Sequence, residues 1–254
     1  MNQARIPSLQ QRNFTARWLA LAGVVGPIVF VGVFTLAGFL RPGYSPIHQA
    51  ISDLGVGPNG WLLDGSLVIT CLLLIAFTVG FAWCMRPVLS RGWRWSSAAL
   101  LALHGLGLAV AGLFTEAPST LAIHWMVGAP LAFFGPVVAF LITGLALRHD
   151  PRWHRWGIGL LVASLATLVL LLVTFWVFTP GTPLASLRLG GLMERALMIE
   201  IEAWYVAFGW RLFAPAGSQK PGGSPHEQKR EPELSTQGSE RLNLQGKKEG
   251  AQRR

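Results

Sequence analysis

Eleven side chains in this 254-residue chain could do chemistry, and their spacing sorts them into two groups. Arg41, His48, Ser52, Asp53, Asp64, His124, Glu194 and Arg195 fall near the ends of apolar runs, with Glu116 in the same zone. His104 and Glu200 fall in the middle of such runs. His, Asp, Glu and Ser are the side chains used for metal binding and acid–base work. His104 lies about ten residues from either end of its run and Glu200 about nine residues into its own, so at 1.5 Å per residue each sits about 14 Å deep. A charge at that depth in a bilayer costs at least ~2.5 kcal/mol, so each group must face a protein interior or become neutral. A His104–Glu200 hydrogen bond would satisfy both. Glu202, two residues further on and on a different helical face, is expected outside that contact. Such a pair serves either as a tie between two helices or as the base of a polar pocket or proton relay.

Six apolar stretches must carry these residues: 18–40, 61–85, 96–115, 121–147, 157–179 and 191–213. Each is about 20 residues or longer, enough to cross about 30 Å of hydrocarbon as a helix. Backbone groups cannot stay unpaired in lipid, and the runs lack the alternation of barrel strands. The loop between the first two runs differs from the others. Pro42 and Gly43 break the first helix, and Ser45-Pro46 can open a new turn. Ile47, Ala50, Ile51 and Leu54 share one face at helical spacing, which predicts a short interfacial helix over 46–54 stopped by Gly55. His48, Ser52 and Asp53 would point away from that face. Gly128, Pro130, Gly135 and Pro136 predict a bent fourth helix that widens a cavity below His124.

Charge agrees with a membrane setting. Hydrophobic residues make up 52% of the chain and charged residues 13%, about half the share of a soluble domain. Thirteen of the 33 charged residues lie in 214–254, so the rest of the chain is thinner still. The net charge of +9 sits in short clusters between apolar runs and not on one basic face, which argues against nucleic-acid binding. Arg5, Arg12, Arg17, Arg86, Arg91, Arg94, Arg148, Arg152 and Arg155 fall on one side of the alternating topology, against Arg41 and Arg188 on the other. That asymmetry places both termini in the cytoplasm. Most of the tryptophans mark helix ends, as interfacial anchors do. Cys71 and Cys84 are 13 residues apart on one run, or about 20 Å, too far to pair within a helix. The first run is too long for a cleaved signal peptide and reads as a retained anchor. The expected organisation is a cytoplasmic arm over 1–17, a six-helix transmembrane domain over 18–213, and a disordered cytoplasmic tail over 214–254 whose composition cannot bury a core.

The string Arg41-Pro-Gly-Tyr-Ser, followed by Ile51-Ser-Asp-Leu-Gly55 and Gly57-Pro-Asn-Gly-Trp61, resembles the entry signature of the bacterial membrane family known as domain of unknown function 998. Gly112-Leu-Phe114, His124 and Gly191-Leu-Met-Glu-Arg195 fit the same pattern. The resemblance covers about 15–213. It implies a six-helix bundle and no particular activity. Where a Phe-Pro-x-Asp type of turn would be expected after the third helix, this chain has Phe114-Thr-Glu-Ala-Pro118, so no role passes to Glu116.

Together these readings give an all-α polytopic bundle in the plasma (inner) membrane, touching lipid, with an outward-facing polar pocket that binds a lipid headgroup or small amphiphile. One alternative is a membrane-embedded lipid hydrolase using His, Asp and Ser with a metal. Another is a small transporter, although no internal repeat is visible. The sequence points to no particular cofactor and to no oligomeric state.

Overall fold

In the computed structural model the described residues are 9–214, with side chains described from Phe14 onward. The expected disordered tail and the first eight residues of the expected arm lie outside that range. Among the described residues the chain is helical, with no strand.

Six long helices follow the apolar runs: α1 Leu9–Leu40, α2 Gly60–Cys84, α3 Arg91–Leu113, α4 Leu121–Leu147, α5 His154–Phe178 and α6 Gly190–Phe213. The first five are long and apolar enough to cross a membrane. Helix α6 is as long, at 24 residues, but carries Glu194, Arg195, Glu200 and Glu202. Helix α1 starts at Leu9, upstream of the apolar run, and Arg17 donates from Nε and Nη2 to the carbonyl of Phe213 at 2.9 and 2.5 Å. Consecutive helices pack side by side, and α6 returns against α1 to close a ring. Large apolar side chains cover its outside, among them Leu72, Leu165 and Phe175, each more than 60% exposed. In a soluble monomer that much apolar surface would be a liability; facing lipid, it is the required solvent contact. Seven of the eleven tryptophans are also exposed. Cys71 and Cys84 are free thiols.

The interior is aromatic at one end and polar at the other. Phe77, Phe81, Tyr205 and Phe208 interlock edge-to-face or tilted on the side of the 85–90 and 148–153 loops. Small residues let α3 and α4 touch backbone to backbone. A Cβ on Gly107 would run into the main chain of Leu131 and Ala132, and Gly128 and Gly135 lie close against Ala111 and Leu103.

The fourth helix departs from regularity ahead of its prolines. Residues His124–Gly128 form a π-turn, with the N–H of Ala129 reaching back to the carbonyl of His124. Such turns recur at functional sites. Further on, Pro136 has no N–H to give the carbonyl of Ala132, four residues earlier. His104 Nδ1 takes up that carbonyl at 2.7 Å. The sequence places a proline break here; the structure shows that a buried histidine repairs it.

The predicted interfacial helix over 46–54 is not continuous. A turn closes at Gln49, whose N–H meets the carbonyl of Ser45, and a separate 3-10 turn runs Ser52–Gly55. The break has a cause. The N–H of Ala50 donates to Asp53 Oδ2 at 2.9 Å and that of Ile51 to Glu194 Oε2 at 3.0 Å. Both N–H groups that would have propagated the helix are captured by carboxylates. Ala50, Ile51 and Leu54 are buried as the periodicity requires, whereas Ile47 is 46% exposed.

Candidate functional site

The loops 41–59, 114–120 and 179–189 come together at one end of the bundle, and the predicted polar residues divide there into three structures.

The first is a staple between the 44–51 loop and the start of α6. Arg195 Nη1 donates to the carbonyls of Pro46, Gln49 and Gly191 at 2.9, 3.0 and 2.9 Å, and Nη2 donates to the Tyr44 hydroxyl. The Tyr44 hydroxyl donates in turn to the carbonyl of Ala50 at 2.7 Å. The guanidinium also lies over the Tyr44 and Phe34 rings, at 5.3 and 5.9 Å. Burial pushes the Tyr44 phenol above its ordinary value, opposed by the hydrogen bond and charge of Arg195, so the neutral phenol is the form in place. His48 Nδ1 pairs with the carbonyl of Arg188 at 2.7 Å, and the N–H of Leu192 donates to the carbonyl of Ile47 at 3.0 Å. A Cβ on Gly191 would collide with the main chain at Gln49, so only glycine allows this approach. His48, Asp53 and Arg195 are therefore spent on main-chain groups. Tyr44, which the sequence reading passed over, is as central to the staple as Arg195.

The second structure is a pocket. Ser52, Asp64, His124 and Glu194 line it together, with Phe30, Trp125 and Phe133 among its apolar walls and Ala132 and Met198 towards the bundle interior. Its volume is about 50 Å³. At ~10–15 Å³ per water, that is room for roughly three or four waters. His124 is 7% exposed, and its Nδ1 pairs with the carbonyl of Phe114 at 2.9 Å. That bond fixes the ring and leaves Nε2 3.7 Å from Oε1 of Glu116, a residue outside the cavity lining. Glu194 is 8% exposed and uses one oxygen for Ile51, while its other oxygen makes no hydrogen bond among the described residues. The Asp64 carboxylate and Ser52 hydroxyl make none there either. No Lys or Arg lines the cavity. Among the described residues, no three His, Cys, Asp or Glu side chains gather closely enough to hold a metal ion.

The turn 55–60 shapes this rim. Gly57 and Asn59 take left-handed backbone angles, with φ of 103° and 66°. Gly60 abuts the carbonyl of Gly55 with no room for a Cβ, and a Cβ on Gly55 would press on Asp64 Oδ1 at 2.7 Å. The loop motif thus owes its glycines to backbone geometry beside the pocket.

The third structure is the midplane pair, and here the expectation is corrected. His104 pairs with Glu202, not Glu200: Nε2 lies 3.1 Å from Oε1. Both residues are buried, at 0% and 1% exposure. Glu200 points elsewhere, accepting from Thr167 Oγ1 on α5 at 2.8 Å. Two residues are about 200° of helix rotation. The inward face of α6 runs Glu194, Leu197, Met198, Ile201, Glu202, Tyr205, and Glu200 lies off it. Because Nδ1 of His104 donates to Ala132, one proton lies between Nε2 and Oε1 whichever partner holds it. Tyr205 stacks on the imidazole at 5.3 Å and donates to the carbonyl of Leu101 at 2.8 Å. Glu202 Oε2 is buried with no hydrogen-bond partner among the described residues.

Arg41 belongs to none of the three. Its Nη1 donates to the carbonyl of Asp53, and it lines a separate cleft beyond the 3-10 turn.

No curated protein and no solved structure matches the chain. A family profile does match, over residues 24–211. It covers the ring of helices, the loop staple and the pocket, and on that match the chain belongs to the family described as protein of unknown function (DUF998).

Proposed function

We propose that this membrane protein binds the cationic head of a small amphiphile in the Asp64–His124–Glu194 pocket, on the outer side of a plasma (inner) membrane. The observation that carries the reading is the sign of the lining. Two carboxyl groups, of Asp64 and Glu194, line the cavity with oxygens that make no hydrogen bond among the described residues, a third stands beside His124, and no Lys or Arg is in the lining. Trp125, Phe30 and Phe133 add ring faces of the kind that attract ammonium groups. An ammonium with one or two carbons is about the size of the waters the cavity holds.

The experiment is calorimetric titration of the purified protein with hexylammonium and with hexanoate. Hexylammonium should bind, hexanoate should not, and Asp64→Asn should weaken hexylammonium at least ~10-fold, about 1.4 kcal/mol. Equal binding of the two ions, or an unaltered Asp64→Asn variant, would sink the reading.

The orientation rests on the arginine asymmetry of the loops. In a background with Cys71→Ala and Cys84→Ala, a cysteine at Val56 should react with an impermeant thiol reagent on intact cells. A cysteine at Ser90 should react only after permeabilisation. The opposite pattern would invert the topology.

The His104–Glu202 pair supports a second reading, a small transporter that moves a proton with its ligand. His104 lies one helical turn below Leu108, and Glu202 one turn below Met198, both pocket-lining residues. The metal-dependent hydrolase finds no donor set of three among the described residues.

A further inference from the structure

We propose that the Arg41 cleft seats the phosphate of a membrane phospholipid. This site is separate from the acidic pocket, and the proposal does not rest on the cation reading.

The cleft lies at the end of α1 and has a volume of about 150 Å³, three times that of the acidic pocket. Arg41 is its only charged lining residue, and Asn59 contributes an amide. The remaining walls are Ala37, Leu40, Pro42, Leu54 and Pro58. Arg41 spends Nη1 on the carbonyl of Asp53; its Nε and Nη2 make no hydrogen bond among the described residues. A guanidinium with two free nitrogens in a cleft without a carboxylate matches a phosphate, which takes two parallel N–H bonds from one Arg. The surroundings supply the rest of a lipid's chemistry. Leu36, Phe39 and Leu40 of α1 are 54%, 83% and 53% exposed beside the cleft, a track for an acyl chain running down the helix. Arg41 also stands where the first apolar run ends, at headgroup depth.

The location has a consequence for the neighbouring pocket. Leu54 faces the cleft, whereas Ile51, Ser52 and Gly55 line the pocket, so the turn Ser52–Gly55 is a wall shared by both. A phosphate held by Arg41 buttresses that wall from the opposite side.

The test is lipid binding to the delipidated, full-length protein in detergent, read as apparent affinity by native mass spectrometry. The probes are phosphatidylglycerol, phosphatidylcholine and a diacylglycerol with the same chains. Arg41→Gln should weaken both phospholipids about tenfold and leave diacylglycerol unchanged. Millimolar inorganic phosphate distinguishes the sources. Thermal protection of the wild type but not of Arg41→Gln would assign the cleft to free phosphate, and no protection assigns it to lipid. Because Arg41→Gln also releases the carbonyl of Asp53, two milder variants accompany it. Arg41→Lys keeps the charge and loses the fork. Asn59→Gly tolerates the left-handed backbone and leaves Arg41 in place. Each should weaken phospholipid about threefold. Phospholipid affinity unchanged in all the variants that fold, or diacylglycerol weakened as much as the phospholipids, would overturn the proposal.

Discussion

Replacing His104 or Glu202 alone by Leu should lower the stability of the bundle by about 1–3 kcal/mol, and replacing both should recover most of that loss. Removing one partner strands the other in the apolar interior, where one oxygen of Glu202 already makes no hydrogen bond among the described residues. The double change exchanges a buried polar pair for packed hydrocarbon, which is close to neutral when shape is kept. His104→Leu also abandons the carbonyl of Ala132, which Pro136 leaves without a helical donor. The histidine change should therefore be the worse of the two single ones. Unfolding midpoints in mixed detergent would measure the cycle. Additive losses would show that the two side chains do not depend on each other. Glu200→Leu is the control: it touches Thr167 on α5 and should leave the cycle unaltered.

Arg195→Ala should be the most damaging change at the loop end. It removes three hydrogen bonds to main-chain carbonyls, one to Tyr44 and two ring contacts in a single step. Hydrogen bonds from a charged donor are worth about 1.5–3 kcal/mol each, with much overlap in a fork, so a loss of about 3 kcal/mol is expected. Arg195→Lys should recover less than half, because an ammonium cannot span the carbonyls of Pro46, Gln49 and Gly191 as a planar fork does. Amide exchange of residues 44–51 is the readout. Protection that survives Arg195→Ala would show that the remaining bonds, chiefly Ile51 to Glu194 and Leu192 to Ile47, hold the loop without it.

The six long helices were legible because long, mostly apolar runs leave few alternatives, and for the first five hydropathy alone marks the core. Their ends were less so. Residues 9–17, with Gln10, Gln11, Arg12 and Asn13, carry no apolar signal, yet α1 begins at Leu9. Helix formation needs only satisfied backbone bonds, and Arg17 ties this segment to Phe213. The first loop was legible as something ordered and apolar on one side. Its interruption was not, since that depends on Glu194, which lies 143 residues away from Ile51. At the pocket, Ser52, Asp64, His124 and Glu194 were identified from their positions near helix ends and do line one cavity. His48, Asp53 and Arg195 were indistinguishable from them by type, but their hydrogen bonds go to main-chain groups. The sequence does distinguish Glu202 from Glu200 as the inward residue. Glu194 and Glu202 are eight residues apart, which returns to the same face of a helix, and Leu197, Met198, Ile201 and Tyr205 fill the stripe between them. Helix rotation separates the two glutamates correctly, but only the apolar stripe shows which of their faces turns inward.

The staple also has a history within each newly made molecule. Its two halves lie in the first hairpin and the last helix, with Gln49 and Arg195 separated by 146 residues. During synthesis the loop leaves the ribosome long before α6 exists. Until α6 arrives, the N–H of Ile51, the carbonyls of Ile47 and Pro46, and the Tyr44 hydroxyl lack their α6 partners. Five helices can associate in that interval, but the pocket cannot acquire Glu194 and the ring cannot close. Completion of the site is thus coupled to completion of the chain, and a ribosome that stops short of α6 releases a bundle with an unfinished loop end.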